Sequence, residues 1–194
     1  MDASHAGDWK QLSAIDDPIT ARSRTGYIIN FSDSPILWVS KLQTEIALST
    51  TEAEYIALST YTRDILPILS LAKDASEHKL VAQVPTPLIH CKIFEDNSGT
   101  VEMANVPKMR PRTKHLSIKY HFFRQFVQQG ILQVMHIAEE QQRADIFTKA
   151  LNLMTFLKHR KSILGWSSCP TQPKTRECNI IQDLRTLLMF YDRL

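Results

Sequence analysis

Strand-like runs crowd the first quarter of the chain and thereafter alternate with helix-like ones, and this order restricts the fold more than any other feature. Residues 25–31 (TGYIINF) and 36–40 (ILWVS) are rich in β-branched and aromatic side chains, and Ser32-Asp33-Ser34-Pro35 between them reads as a hairpin turn. Residues 45–48 read as a third strand. Ser49-Thr50-Thr51-Glu52 then carries a capping box, with Ser49 as N-cap and Glu52 three residues on. The helix it opens is expected to reach about Lys73, kinked or broken at Pro67. A strand over 88–95 follows, then a short helix capped by Asn97 or Ser98 and ending before Pro107. A helix over 113–129 should stop at Gly130, a residue suited to the left-handed turn after a helix. A strand over 131–137 and a helix from Glu139 to about Leu151 complete the pattern. Such an order points to an α/β domain with a mixed sheet. Ligand groups in these folds gather at the carboxyl ends of parallel strands, which singles out Asp96.

The chain has 194 residues, enough for one domain and a tail. At 43% apolar and 22% charged it has the composition of a folded globular protein. No run approaches the roughly 20 apolar residues that span a bilayer, so no membrane partner is expected. Met1 leads straight into Asp2, His5 and Asp8, without the basic and apolar regions of a secretory leader. Cys91, Cys169 and Cys178 are too few for a disulfide framework, and a reducing, cytoplasmic location is expected. A net charge of +3 does not by itself indicate nucleic acid, so the distribution of charge has to carry that argument.

Four carboxylates stand out by position. Asp96 closes the strand LIHCKIFED and is either a turn or cap residue beside Asn97 or a site residue. Glu54 shares a helical face with Ala57, Leu58, Tyr61 and Ile65, an apolar stripe that should meet the sheet. A carboxylate on that side needs a partner or a metal unless it reaches past the stripe to water. Glu52, on the face of Ser59 and Arg63, is the solvated, capping member of the pair. Asp145 lies early in the last core helix, where the plain alternative is an exposed ion pair with Lys149 at i,i+4. Asp2 at the chain start is ordinarily a solvated terminus. Converging carboxylates without Cys/His metal spacing suit a hard, oxygen-seeking cation such as Mg2+. Two such ions roughly 3.5–4 Å apart can stabilise both oxygens of a phosphodiester displacement.

The run SKLQTEIALSTTEAEYIALS (40–59) resembles the "SKKQ…ALSSTEAEY" signature of the ribonuclease H domain in copia-type LTR retrotransposon polyproteins. The same order continues in EDNSGTVEMAN (95–105), RTKHLSIKYHFFR (112–124) and EEQQRADIFTKAL (139–151), and the resemblance covers roughly residues 1–166. It implies a ribonuclease H-like mixed five-stranded sheet flanked by helices over 1–166, leaving 167–194 as an unassigned tail. The family's catalytic, metal-holding carboxylates match Asp2 in DASHAGDW, Glu54, Asp96 and Asp145. The implied activity is hydrolysis of the RNA strand of RNA–DNA hybrids during reverse transcription. Two Mg2+ ions, with Mn2+ as a substitute, would serve it. The implied partners are the hybrid and a reverse transcriptase domain upstream in the polyprotein, and a virus-like particle or the nucleus join the cytoplasm as implied locations. The family has further residues ahead of the position of Asp2, so the first strand is expected to be truncated here, leaving Asp2 loosely held and the isolated chain weakly active or inactive.

Residues 108–124 contain six basic side chains and no acid. Lys114, Ser117, His121 and Arg124 fall on one flank of the expected helix, and Leu116, Tyr120, Phe123 and Val127 form its buried stripe. A solvated basic face is one reading. Beside an acidic nuclease-like site, phosphate contact by Arg112, Lys114, Lys119, His121 and Arg124 is the better one. Hybrid recognition would run through backbone, groove shape and 2′-hydroxyls. His115 and His121 are six apart and make no helical metal pair. The rival from another class is a catalytically inactive nucleic-acid-binding remnant, separated from the nuclease by whether the four carboxylates converge.

Overall fold

The computed structural model describes residues 1–9, 18–31, 34–78, 91–106 and 121–165. Its strands are β1 (Asp2–Ser4), β2 (Arg24–Phe31), β3 (Ser34–Leu42), β4 (Cys91–Glu95) and β5 (Leu132–His136). The helices are α1 (Thr50–Glu77), α2 (Ser98–Asn105), α3 (Arg124–Gln128) and α4 (Leu153–Leu164), with short 3-10 segments at Pro18–Ala21, Glu139–Gln141 and Arg143–Phe147. The architecture is a mixed α/β fold of the ribonuclease H-like kind. β1, β2 and β3 pair antiparallel in that order, and β4 and β5 pair parallel. The two sets meet where the Met1 amino group donates to the Phe94 carbonyl at 2.8 Å.

The hairpin forms as its pattern requires, with Tyr27 opposite Val39 and Ile28 opposite Trp38. Successive residues of β2 point to opposite faces. Tyr27 turns to α1, where its ring meets Tyr61 edge-on at 5.3 Å and its hydroxyl donates to Asp64. Gly26 turns the other way, toward residues 144–148. The core lies on the α1 side, built from Tyr27, Ile29, Ala57, Leu58, Tyr61, Ile65, Ile93, Leu132 and Val134, all buried.

α1 begins at the expected capping box. Ser49 Oγ accepts from the Glu52 amide at 3.1 Å, and the Glu52 carboxylate accepts from the Leu48 amide at 2.8 Å. Of the kink or break expected at Pro67, the break does not occur: α1 continues past it to Glu77. Pro67 and Arg63, the residue whose carbonyl loses its partner, are both exposed, so water can satisfy that carbonyl. Ser59, expected on a solvated face, is buried.

Two further expectations are corrected. Residues 45–48 form no strand: Ala47 is buried while Ile46 and Leu48 are exposed, and the segment runs without a partner strand into the cap of α1. Residues 139–151 form two 3-10 segments rather than one helix, because the second is pressed onto β2 at Gly26. α4, which no pattern flagged, follows from an Asn152 cap whose side chain accepts from the Thr155 amide at 2.9 Å. Of the helix expected over 113–129, residues 121–129 are described, and only Arg124–Gln128 of them are helical, 121–123 forming a bend and turn; Gly130 does take the left-handed turn behind α3 at φ 73°. Among the described residues, no helix is long and apolar enough to cross a membrane.

Candidate metal centre

Three separate parts of the chain deliver carboxylates to one place, and a fourth lies beside them. β1 contributes Asp2, the first turns of α1 contribute Glu54, and the end of β4 contributes Asp96. One carboxylate oxygen from each lies within 4.8 Å of the others. Asp2 and Glu54 are buried and Asp96 half-buried. Asp145, in the 3-10 segment Arg143–Phe147, is 4% exposed and close enough for the charges of Asp2 and Asp96 to act on it. Its Oδ2 pairs with Lys149 Nζ at 2.9 Å, the i,i+4 pair that the spacing allowed, although the acid is buried rather than exposed.

β1 has three residues, yet Asp2 is not loosely held as the sequence suggested. Its backbone pairs with Gly26, Thr148 Oγ1 donates to its Oδ2, and it is 3% exposed. Met1 beside it is fixed at both ends, its amino group on Phe94 and its carbonyl accepting from Gln142 Nε2 at 2.6 Å. The Ala3 amide donates to the Glu54 carboxylate.

The centre has too little positive charge for its acids. Burial first, then the charges of Glu95 and Asp2, pushes the Glu54 carboxyl far above the ordinary range. Burial likewise raises Glu95, opposed by the Met1 amino group and the Asn97 amide. Asp96 is raised by burial and by Asp2. Asp145 is pushed up to about 6 by burial, against the pull of Lys149 and with the charges of Asp2 and Asp96 adding to the rise. Among the described residues Glu54 Oε2, Glu95 Oε2 and Asp145 Oδ1 are buried without a hydrogen-bond partner. Buried carboxylate oxygens with no partner are costly, and an all-oxygen donor set is what Mg2+ or Mn2+ binds. The residues present therefore fit a divalent cation.

Three residues of this neighbourhood were not singled out from the sequence. Glu95 is fully buried, with Oε1 accepting from the Asn97 amide at 3.1 Å. Gln142 bridges Met1 and Asp96, and Thr148 bridges Asp2 and the Asp145 carbonyl.

The basic candidates fall differently. Arg112, Lys114 and Lys119 lie outside the described residues. His121 and Arg124 have partners inside the fold. His121 Nδ1 meets the Tyr55 hydroxyl at 2.8 Å, and Arg124 Nη2 donates to the Val106 carbonyl.

The chain is similar in sequence to polyproteins of transposons. Over 162 residues, 84% of the chain, it is 33% identical to the Retrovirus-related Pol polyprotein from transposon RE2 of Arabidopsis thaliana. It is 35% identical over 155 residues to the corresponding polyprotein from transposon RE1 of the same plant, and 32% identical over 150 residues to that from transposon TNT 1-94 of Nicotiana tabacum. Its homologues are plant transposon Pol polyproteins. The chain spans about a tenth of the length of these curated relatives: 10%, 9% and 10%. No family model matches the chain, and no solved structure matches it.

Proposed function

We propose that the chain is the ribonuclease H-type hydrolase segment of a retrotransposon polyprotein, cutting the RNA strand of RNA–DNA hybrids with divalent cations. The observation that carries this reading is the convergence of Asp2, Glu54 and Asp96 within 4.8 Å, with Asp145 beside them. These four positions are the ones the family resemblance selects. Asp2, Glu54, Asp96 and Asp145 would hold the ions, which when bound supply Lewis-acid charge to the attacking water and the departing 3′ oxygen. The protein's own part is placement. β1 fixes Asp2 between Gly26 and Thr148, α1 carries Glu54 on its buried face, and Asp96 directly follows the end of β4 at Glu95. Gln142 and Thr148 tie the segment bearing Asp145 to the start of β1. A reverse transcriptase domain elsewhere in the polyprotein is the natural partner, because the hybrid is its product. Basic side chains of the 108–124 stretch, Arg112, Lys114 and Lys119 among them, would meet the hybrid backbone.

The test is cleavage of a labelled RNA–DNA hybrid. Wild type should cut the RNA strand with Mg2+ or Mn2+ and stop with EDTA, and Asp96→Asn should lose cleavage while keeping hybrid affinity. Absence of cleavage with either ion, alongside hybrid binding, would replace this reading with that of a non-catalytic nucleic-acid-binding segment.

A further inference from the structure

Resting on the metal-centre reading, we propose that the Lys149 ammonium is a tethered stand-in for one of the two cations, occupying Asp145 until a divalent ion displaces it. Asp2, Glu54 and Asp96 gather their oxygens within 4.8 Å, and Asp145 is not part of that group. What Asp145 has instead is Lys149, whose Nζ sits 2.9 Å from Oδ2, leaving Oδ1 buried and unpartnered. The acid's side chain is 6% exposed and the lysine's 40%, so the ammonium approaches Asp145 from the open side.

The backbone explains why the lysine is there. The Asp145 carbonyl accepts from the amides of Thr148 and Lys149, and Thr148 Oγ1 reaches from the same carbonyl to Asp2. The turn that closes the 3-10 segment thus places a cation next to the fourth carboxylate. Lys149 also feels the charges of Asp2 and Asp96. A lysine is a compact charge on a flexible stem and can leave without disturbing the backbone, whereas an ion held by Asp145 has to evict it or share the carboxylate with it. The two cations should therefore bind unequally. The first enters among Asp2, Glu54 and Asp96 without disturbing an ion pair; the second competes with Lys149.

The experiment is calorimetric titration with Mn2+ in the absence of nucleic acid. Wild type should show a tighter and a weaker step. Lys149→Met should tighten the weaker step about tenfold or more, since a unit charge at contact distance near a protein surface acts with several times the thermal energy. The tighter step should move far less, and Lys149→Arg, which keeps the charge, should behave as wild type. A weaker step that is unchanged or further weakened in Lys149→Met overturns the stand-in and leaves the metal centre intact. No binding by wild type or Lys149→Met overturns both readings. Wild-type protein gives a second measure that does not require the variant to fold. Acylation of Lys149 by acetic anhydride, followed by mass spectrometry, should speed up severalfold on saturation with Mg2+, and an unchanged rate overturns the proposal.

Discussion

Glu54 is a buried carboxylate whose placement costs stability and, on the proposed reading, serves the metal centre. It sits on the buried face of α1 with Ala57, Leu58 and Tyr61, one oxygen unpartnered and other acids around it. Glu54→Gln keeps the shape and removes the ionisation, so the metal-free protein at neutral pH should gain about 1–3 kcal/mol in urea denaturation. Mn2+ affinity should fall in the same variant by at least roughly 100-fold, since losing only an outer partner of a ligand costs roughly 10–100-fold. A variant that lost stability would make Glu54 an ordinary structural residue. Glu54 was legible in the sequence because helical periodicity fixes which face a residue takes, and Asp96 because strand ends collect ligands. Glu95 carried a usable signal in strand alternation, which puts it on the side of buried Ile93. Gln142 and Thr148 carried none, for their partners Met1 and Asp2 lie 141 and 146 residues away in sequence.

At the scale of elements, the contact that assembles the centre is the approach of the 143–148 segment to β2. A Cβ on Gly26 would stand 2.5 Å from Thr148 Cγ2, 2.9 Å from Phe147 Cβ and 3.2 Å from the Ala144 carbonyl. Gly26 is also the residue opposite Asp2 in the β1–β2 ladder, so one missing side chain brings Asp145 and Thr148 down beside Asp2. Gly26→Ala should therefore cost about 1–3 kcal/mol by overpacking. It should also weaken Mn2+ binding in calorimetry more than that loss alone explains, because the Asp145 segment must back away while the strands stay. Binding at wild-type strength would show that the approach is not needed for the site. This contact also explains what the sequence hid. The hairpin, α1, β4 and β5 follow from local periodicity and caps, whereas residues 139–151 have a helix-compatible pattern overruled by their packing on β2. Residues 45–48 read like a short strand, yet in the described residues the run has no ladder partner and stays a connection. The basic helix face expected from 113 onward falls largely outside the described residues, and its described members His121 and Arg124 bond to the fold itself.

For the whole molecule, the accumulation of buried acids fixes how stability must respond to pH. Glu54, Glu95, Asp96 and Asp145 are all raised above their ordinary values, chiefly by burial, Asp145 to about 6. Above about pH 4.5 the unfolded chain gives up these protons while the folded protein keeps more of them. Stability of the metal-free protein should accordingly decline as pH rises from about 4.5 through 6 and beyond, by about 2–4 kcal/mol across the range. Divalent cations should reverse the sign, because on the proposed reading they bind the ionised carboxylates and so would favour the folded state most where those protons are gone. At a concentration of 100 times the dissociation constant, one bound ion adds roughly 2.7 kcal/mol. Urea midpoints measured between pH 5 and 8 should thus fall with pH in EDTA, and the gain from added Mg2+ should be larger at pH 8 than at pH 5. The lysine that partly neutralises Asp145 gives the same titration an internal control. Without Lys149 the fall in EDTA should be steeper, because one of the few cations facing these acids would be gone. A pH-independent midpoint in EDTA would mean that the acids keep ordinary ionisation in the fold, and the case for a charge-starved centre awaiting a cation would fail with it.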